Sequence, residues 1–397
     1  MPHPRLETTL SLLRTLVEFD TCSQRSNRDL IEFVRDHLAR FDVPAWLNYS
    51  PDKEKANLYA TIGPSDRAGL CLSGHTDVVP TEGQPWSVSP FRLTCRDDRV
   101  FGRGTADMKG YLACLLASVP CFVEHCRTLP MHLAFSYDEE VGCRGVRGLL
   151  AELAQAPFKP LACIIGEPTR MQVAVAHKGK RAYRCCFHGL AGHSALPHRG
   201  VNAVEFAAEL AVHLRHANRW QRDHGAQDAR FDPPHTTVHT GKLHGGLALN
   251  VIPDHAELEF EVRNLPGESI SPVVERARRF ARDMLEVEMQ ERAGAPGIEW
   301  QEILDYPALA ADSAGDWVRD MACALTGDSA LHTLSFGTEG GLFQRIGIPT
   351  IVCGPGSIEQ GHKADEYIEL TQLERCLDFL EGLSRQFPLR APGLAAR

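Results

Sequence analysis

No stretch of the sequence approaches the roughly 18 uncharged apolar residues that a membrane-spanning helix needs. Clustered basic residues are missing too. Lys and Arg number 42 against 51 Asp and Glu, for a formal charge of -9. A nucleic-acid partner, which needs grouped cations to neutralise phosphates, is therefore not expected. The chain has no Cys-x-x-Cys pair, and its 13 cysteines are odd in number and dispersed. Cys185 and Cys186 are adjacent and would face opposite sides of a strand. These thiols read as reduced, small hydrophobic side chains rather than disulfides or thiolate metal sites. The opening segment, MPHPRLETTLSLLRTLVEF, carries Arg and Glu and lacks the apolar stretch of a secretory signal. Internal repeats and low-complexity segments are also missing. A cytoplasmic globular protein is expected, and its length of 397 residues favours two domains or one domain with an insertion.

What is present is an alternation. Residues 5–20 and 27–41 have helical apolar periodicity, with Leu30, Ile31, Val34 and Leu38 on one stripe and Ser26 or Asn27 placed to cap it. Short apolar runs then end in polar, Gly-rich residues, at 68–73, 131–136, 162–165 and 350–353, with a helical pattern at 110–126. Strands alternating with helices predict an α/β fold with a mostly parallel sheet. The middle differs. Strands are expected at 181–187, 236–243, 256–263 and 298–305, with helices at 202–222 and 271–289. That β-α-β-β-α-β order is ferredoxin-like. Residues 179–309 are therefore read as an α+β domain inserted into a discontinuous domain of residues 1–178 and 310–397.

The chemistry-bearing residues fall just after the apolar runs. They lie in Ser73-Gly74-His75-Thr76-Asp77, Ala106-Asp107-Met108-Lys109-Gly110, Tyr137-Asp138-Glu139-Glu140, Gly166-Glu167-Pro168-Thr169 and Gly361-His362-Lys363. In an open α/β sheet, ligands bind beyond the carboxyl ends of the strands. Two histidines and three carboxylates make the mixed N/O set that zinc accepts. Asp107, short and central in the order, is the candidate to bridge two ions ~3.5–4 Å apart. Asp77 is placed to accept the second imidazole N–H of His75. Of Glu139 and Glu140, one need touch metal, and the other is free to take a proton from water.

The strings SGHTDVVP, GRGTADMKG, DEEVGCRG and GEPT, in this order along essentially the whole chain, resemble the M20 family of zinc aminoacylases, deacylases and carboxypeptidases. The resemblance implies a zinc-hydrolase catalytic domain with an inserted lid and dimerisation domain, two Zn²⁺ ions for which Co²⁺ can substitute, and a homodimer formed through the inserted domain. It implies that His75 and Glu167 hold one ion, Glu140 and His362 the other, and that Asp107 bridges them. Glu139 would be the general base and acid, Asp77 would orient His75, and the Asp107–Met108 peptide would be cis. In the inserted domain, His193 of Gly192-His193-Ser194 would reach across the dimer to the oxyanion. Asn250 and Arg263 match positions near the substrate, where Arg263 can clamp a carboxylate.

Two further strings, FGTEGGLF at 336–343 and CGPGSIEQGHKADEY at 353–367, resemble the acetylornithine deacetylases within that family. Ala364 stands where that group usually has Pro, and Gly341 where it usually has Ala. The expected substrate is an N-acyl amino acid, N2-acetyl-L-ornithine. A related deacylase, a succinyl-diaminopimelate desuccinylase or a dipeptidase is the alternative. Glu339 and Glu359 are acidic residues available to a distal ammonium.

Overall fold

The computed structural model describes residues 3–293 and 297–391. Internal packing divides the chain into two units, Met1–Ala176 with Leu309–Thr333 and Thr338–Arg397, and His177–Ala308 with Leu334–Gly337. The four residues 334–337 thus group with the second unit, whereas the sequence reading placed them in the first.

The first unit is built on an eight-stranded sheet. Its strands run in the order Ala45–Tyr49, Ala56–Ile62, Met131–Ser136, Leu70–His75, Ala162–Ile165, Thr350–Val352, Ala174–His177 and His332–Leu334. The four strands from Met131–Ser136 to Thr350–Val352 are mutually parallel, and the pairings that flank them are antiparallel. All four are buried along their whole length. This is why they read as unbroken apolar runs rather than alternating ones. Helix Lys109–His125 is buried on nearly every side and packs between helices Leu6–Glu18 and Leu370–Arg390. Leu112, Leu115, Phe122, Leu377 and Phe379 are all buried in the one core that these helices share with the sheet.

Parallel strands start at one edge of a sheet and finish at the other, so their following loops share an edge. The strand expected at 68–73 runs instead over Leu70–His75, because the ladder continues through His75, paired opposite Ser136. His75 therefore sits on the last strand position, where its backbone is fixed. Asn27 does not cap helix Arg28–Ala39 with its side chain. Its amide binds both the N–H and the C=O of Ala56 and the Thr76 hydroxyl, tying the helix start to the chain beside His75.

The second unit has a four-stranded antiparallel sheet in the order Thr237–Gly245, His255–Asn264, Gly179–His188 and Gly297–Tyr306. Along His255–Asn264, Ala256, Leu258, Phe260 and Val262 are buried, and the residues between them are more exposed. That period-2 pattern puts one face against helix Ala203–His224 and the helical run from Ser271. The run expected as one helix over 271–289 contains a π-helical stretch at Ala281–Glu286. Among the described residues, no helix is long and apolar enough to cross a membrane.

Candidate metal centre

Four loops leave the carboxyl edge of the parallel strands and bring the sequence-predicted residues of the first unit together. His75 ends its strand, Glu139 and Glu140 follow Met131–Ser136, Glu167 follows Ala162–Ile165, and His362 lies in the loop after Thr350–Val352. Asp107 enters from the turn before helix Lys109–His125, through a cis Asp107–Met108 peptide.

Asp107 lies between the two histidines. Its Oδ1 is 3.0 Å from His75 Nε2, and its Oδ2 is 3.3 Å from His362 Nε2. Glu167 Oε1 is 3.6 Å from His75 Nε2, and Glu140 Oε2 is 3.0 Å from His362 Nε2. His75, Asp107 and Glu140 can converge ligand atoms within 4.8 Å of one another, and so can His75, Glu139 and Glu167. His75, Asp107 and Glu167 are buried, while His362 is exposed.

Charge explains what this cluster can hold. Burial, then the neighbouring Asp107, pushes Glu140 up to about 7 and Glu167 well above the usual carboxylate range. Burial does the same to Glu139. Hydrogen bonds to Asp107 and Glu140 raise His362 to about 11. Burial would lower His75, but its bonds to Asp107 and Asp77 outweigh that and raise it. Four carboxylates thus face two imidazoles, an excess of negative charge in a poorly solvated place. Divalent cations relieve that excess, and the imidazole and carboxylate donors suit them. The residues present therefore fit a metal pair.

Asp77 faces His75 through both its main chain and its carboxylate. His75 Nδ1 faces the main-chain carbonyl of Asp77 at 2.9 Å, and the Asp77 carboxylate is 3.6 Å away. The carboxylate also accepts Ser23 Oγ at 2.8 Å and the main-chain N–H groups of Glu139 and Glu140 at 3.0 and 3.2 Å. Its geometry is set by contacts across the fold, which local sequence does not reveal. Ser23 and Cys143 also escaped sequence reading. The buried Cys143 thiol lies 3.4 Å from Glu139 Oε1, although its place in DEEVGCRG marks it only as a small residue near the pair. Glu339 is 1% exposed and accepts Ser136 Oγ at 2.5 Å and Ser73 Oγ at 3.5 Å. Glu359 is exposed and paired with Arg170 at 2.7 Å.

The remaining candidates lie in the second unit. His193 is exposed on a two-residue strand opposite Val251, and its Nδ1 accepts the Ala195 N–H at 3.1 Å. Asn250 is close by, its main-chain carbonyl accepting the Ser194 N–H at 3.1 Å. Arg263 is half-buried, with Nε on Glu261 at 2.7 Å and Nη1 on the Ser335 carbonyl at 3.4 Å. All 13 cysteines are free thiols.

Known proteins resemble this chain in sequence and in fold. The family model of Peptidase family M20/M25/M40 matches residues 71–386. An acetylornithine deacetylase from Photorhabdus laumondii is 33% identical over 369 residues, covering 92% of this chain and 91% of its own. A tripeptidase from Staphylococcus aureus superposes with a TM-score of 0.75 at 20% identity, over 97% of this chain and 99% of its own. A dinuclear metal-binding peptidase of the M20 family from Bacillus subtilis superposes with a TM-score of 0.68 at 15% identity, over 97% and 99%. The two structures share the fold, and the family match spans the parallel strands from Cys71 onward and the loops that carry the cluster. The chain is a metal-dependent amidohydrolase, and it belongs to peptidase family M20/M25/M40.

Proposed function

We propose that this protein hydrolyses the amide bond of N2-acetyl-L-ornithine to L-ornithine and acetate, using two zinc ions. The observation that carries the hydrolytic reading is Asp107, with one oxygen toward each of His75 and His362. In the proposed arrangement His75 and Glu167 hold one ion, Glu140 and His362 the other, and Asp107 both. When bound, such a pair polarises the scissile carbonyl and makes water a nucleophile near neutral pH. Glu139 takes the proton of the attacking water on a carboxylate oxygen and returns it to the departing amine nitrogen. Asp77 accepts the main-chain N–H of Glu139 and so anchors the segment that carries it. His193, supplied by the partner subunit of a homodimer, is the proposed donor to the oxyanion. Arg263 and Asn250 are the proposed contacts for the α-carboxylate. The second unit is the proposed lid and dimerisation domain.

The substrate assignment is supported by the deacetylase from Photorhabdus laumondii, whose similarity extends over nearly the whole of both chains. One observation favours a second reading, deacylation of a different N-acyl amino acid. Neither Glu339, buried against two serines, nor Glu359, paired with Arg170, is held in reserve for a distal ammonium. The test is kcat/KM for N-acetyl-L-ornithine, N-acetyl-L-methionine and N-succinyl-diaminopimelate with zinc-loaded protein. Preference for acetylornithine supports the first reading. Preference for one of the others, with the same metal requirement, supports the second.

A further inference from the structure

Arg103 and Glu366 form a buried ion pair, each 1% exposed, with Nη1 2.7 Å from Oε2. Neither belongs to the proposed ligand set, yet their contacts include the main chain of Asp107 and of residues that adjoin Asp107 and His362. Glu366 Oε1 accepts the N–H of Ala106 at 2.9 Å and of Asp107 at 3.1 Å, and Oε2 accepts the N–H of Gly104 at 3.1 Å. Arg103 Nη1 donates to the carbonyl of Lys363, next to His362, at 3.2 Å. Its Nη2 donates to Gln84 Oε1 at 2.5 Å and to the Pro80 carbonyl at 3.4 Å. Gln84 Nε2 then donates to the His362 carbonyl at 3.0 Å. The guanidinium lies over the Trp86 ring, 5.0 Å from its centre.

These contacts make a continuous path from the Asp107 main chain, through Glu366, Arg103 and Gln84, to the His362 main chain. The two residues at its ends point their side chains at each other, 3.3 Å apart. Such a path matters more on one side than the other. His75 is fixed on a sheet strand. His362 sits in an exposed loop at a left-handed φ of 62°. A buried ion pair is in general a poor source of stability, because desolvation offsets the attraction. Donors in a fixed planar fork are well suited to setting the spacing between two segments.

We propose that Arg103, Glu366 and Gln84 are positioning residues that hold Asp107 and His362 in register, and so set the affinity of the metal ion those two ligands share. The proposal rests on the ligand assignment above. Partners behind metal ligands typically alter affinity on the order of 10–100-fold. Glu366→Gln replaces one acceptor oxygen by an NH₂ that meets the Gly104 N–H and the Arg103 guanidinium. Gln84→Ala leaves the ion pair, and it removes the link to His362 together with the acceptor that Gln84 Oε1 offers to Arg103 Nη2 and Trp86 Nε1.

The experiment is a Co²⁺ titration of chelated full-length protein, followed by visible absorption and total bound metal, with thermal melts of the metal-free forms. For Glu366→Gln and Gln84→Ala the expected result is at least tenfold weaker binding of one of the two ions. The other ion is retained, the spectrum is altered, and the metal-free melt of Gln84→Ala is still a cooperative unfolding transition. Wild-type affinity and spectrum for both ions in Gln84→Ala and Glu366→Gln would overturn the proposal. If Glu366→Gln does not fold, Gln84→Ala decides alone. His362→Ala separates the two layers of the argument. If it loses an ion while Gln84→Ala binds both normally, the positioning role fails and the ligand assignment stands. If His362→Ala also binds both ions normally, the ligand assignment itself fails.

Discussion

Asp77 Oδ1 accepts the main-chain N–H of Glu139 at 3.0 Å. The residue two places beyond His75 therefore anchors the main chain of the proposed base, while its own main-chain carbonyl faces the His75 imidazole at 2.9 Å. Asp77→Ala removes the acceptor for the Ser23 hydroxyl and for both N–H groups of the Glu139–Glu140 pair. We expect kcat to fall on the order of 10–100-fold, with weaker metal retention. Steady-state kinetics and bound-metal analysis check this, and wild-type values for both would mean that the network is ornamental.

Glu139 and Glu140 are adjacent but face different partners. Glu140 is 3.0 Å from His362, and Glu139 is touched by Cys143. Glu139→Ala should bind metal at nearly the wild-type level and lose at least roughly 10²–10⁴-fold in turnover, the range for a general acid–base group. Loss of both ions in this variant would assign Glu139 to metal holding and remove it as the base.

Asp107 touches both histidines, whereas His362 touches only one side of the cluster. Asp107→Ala should weaken binding of both ions, and His362→Ala of one. Metal counting after exhaustive dialysis distinguishes them. Identical retention by the two variants would argue against a bridging Asp107.

His132 offers a pH test remote from the cluster. Burial pushes its pKa down to about 4, its Nδ1 lies 3.1 Å from Thr61 Oγ1, and its Nε2 has no hydrogen-bond partner among the described residues. The unfolded chain takes this proton near pH 6.5 and the folded chain only near 4, so the contribution is complete above 6.5 and shrinks as pH falls between those values. Wild-type protein should lose about 2 kcal/mol more unfolding free energy between pH 7 and pH 5 than His132→Gln does. Urea unfolding at the two pH values measures it, and equal losses would show that His132 titrates normally.

Much of the first unit was legible because strands buried on both faces must be apolar throughout, and their polar ends mark the sheet edge. Runs such as 131–136 and 162–165 thus appear in the structure where the sequence put them. The strands Ala174–His177 and His332–Leu334 left no such mark, since each carries a histidine and neither is an unbroken apolar run like 162–165. The five candidate ligands were legible from residue type and place. Their supports were not. Glu366 reaches Asp107 across 259 positions, and Asn27 reaches Thr76 across 49. Hydrogen bonds of that range depend on the finished fold and leave no local pattern.

The central claim is that amide hydrolysis depends on two metal ions gathered around Asp107. The most direct measurement is acetate release from N-acetyl-L-ornithine while chelated protein is titrated with Zn²⁺ and bound metal is counted. The account predicts negligible turnover without metal and a rate that rises until two ions are bound per chain. Undiminished hydrolysis by the metal-free protein, or saturation with both ions bound and no hydrolysis of any N-acyl amino acid, would contradict it.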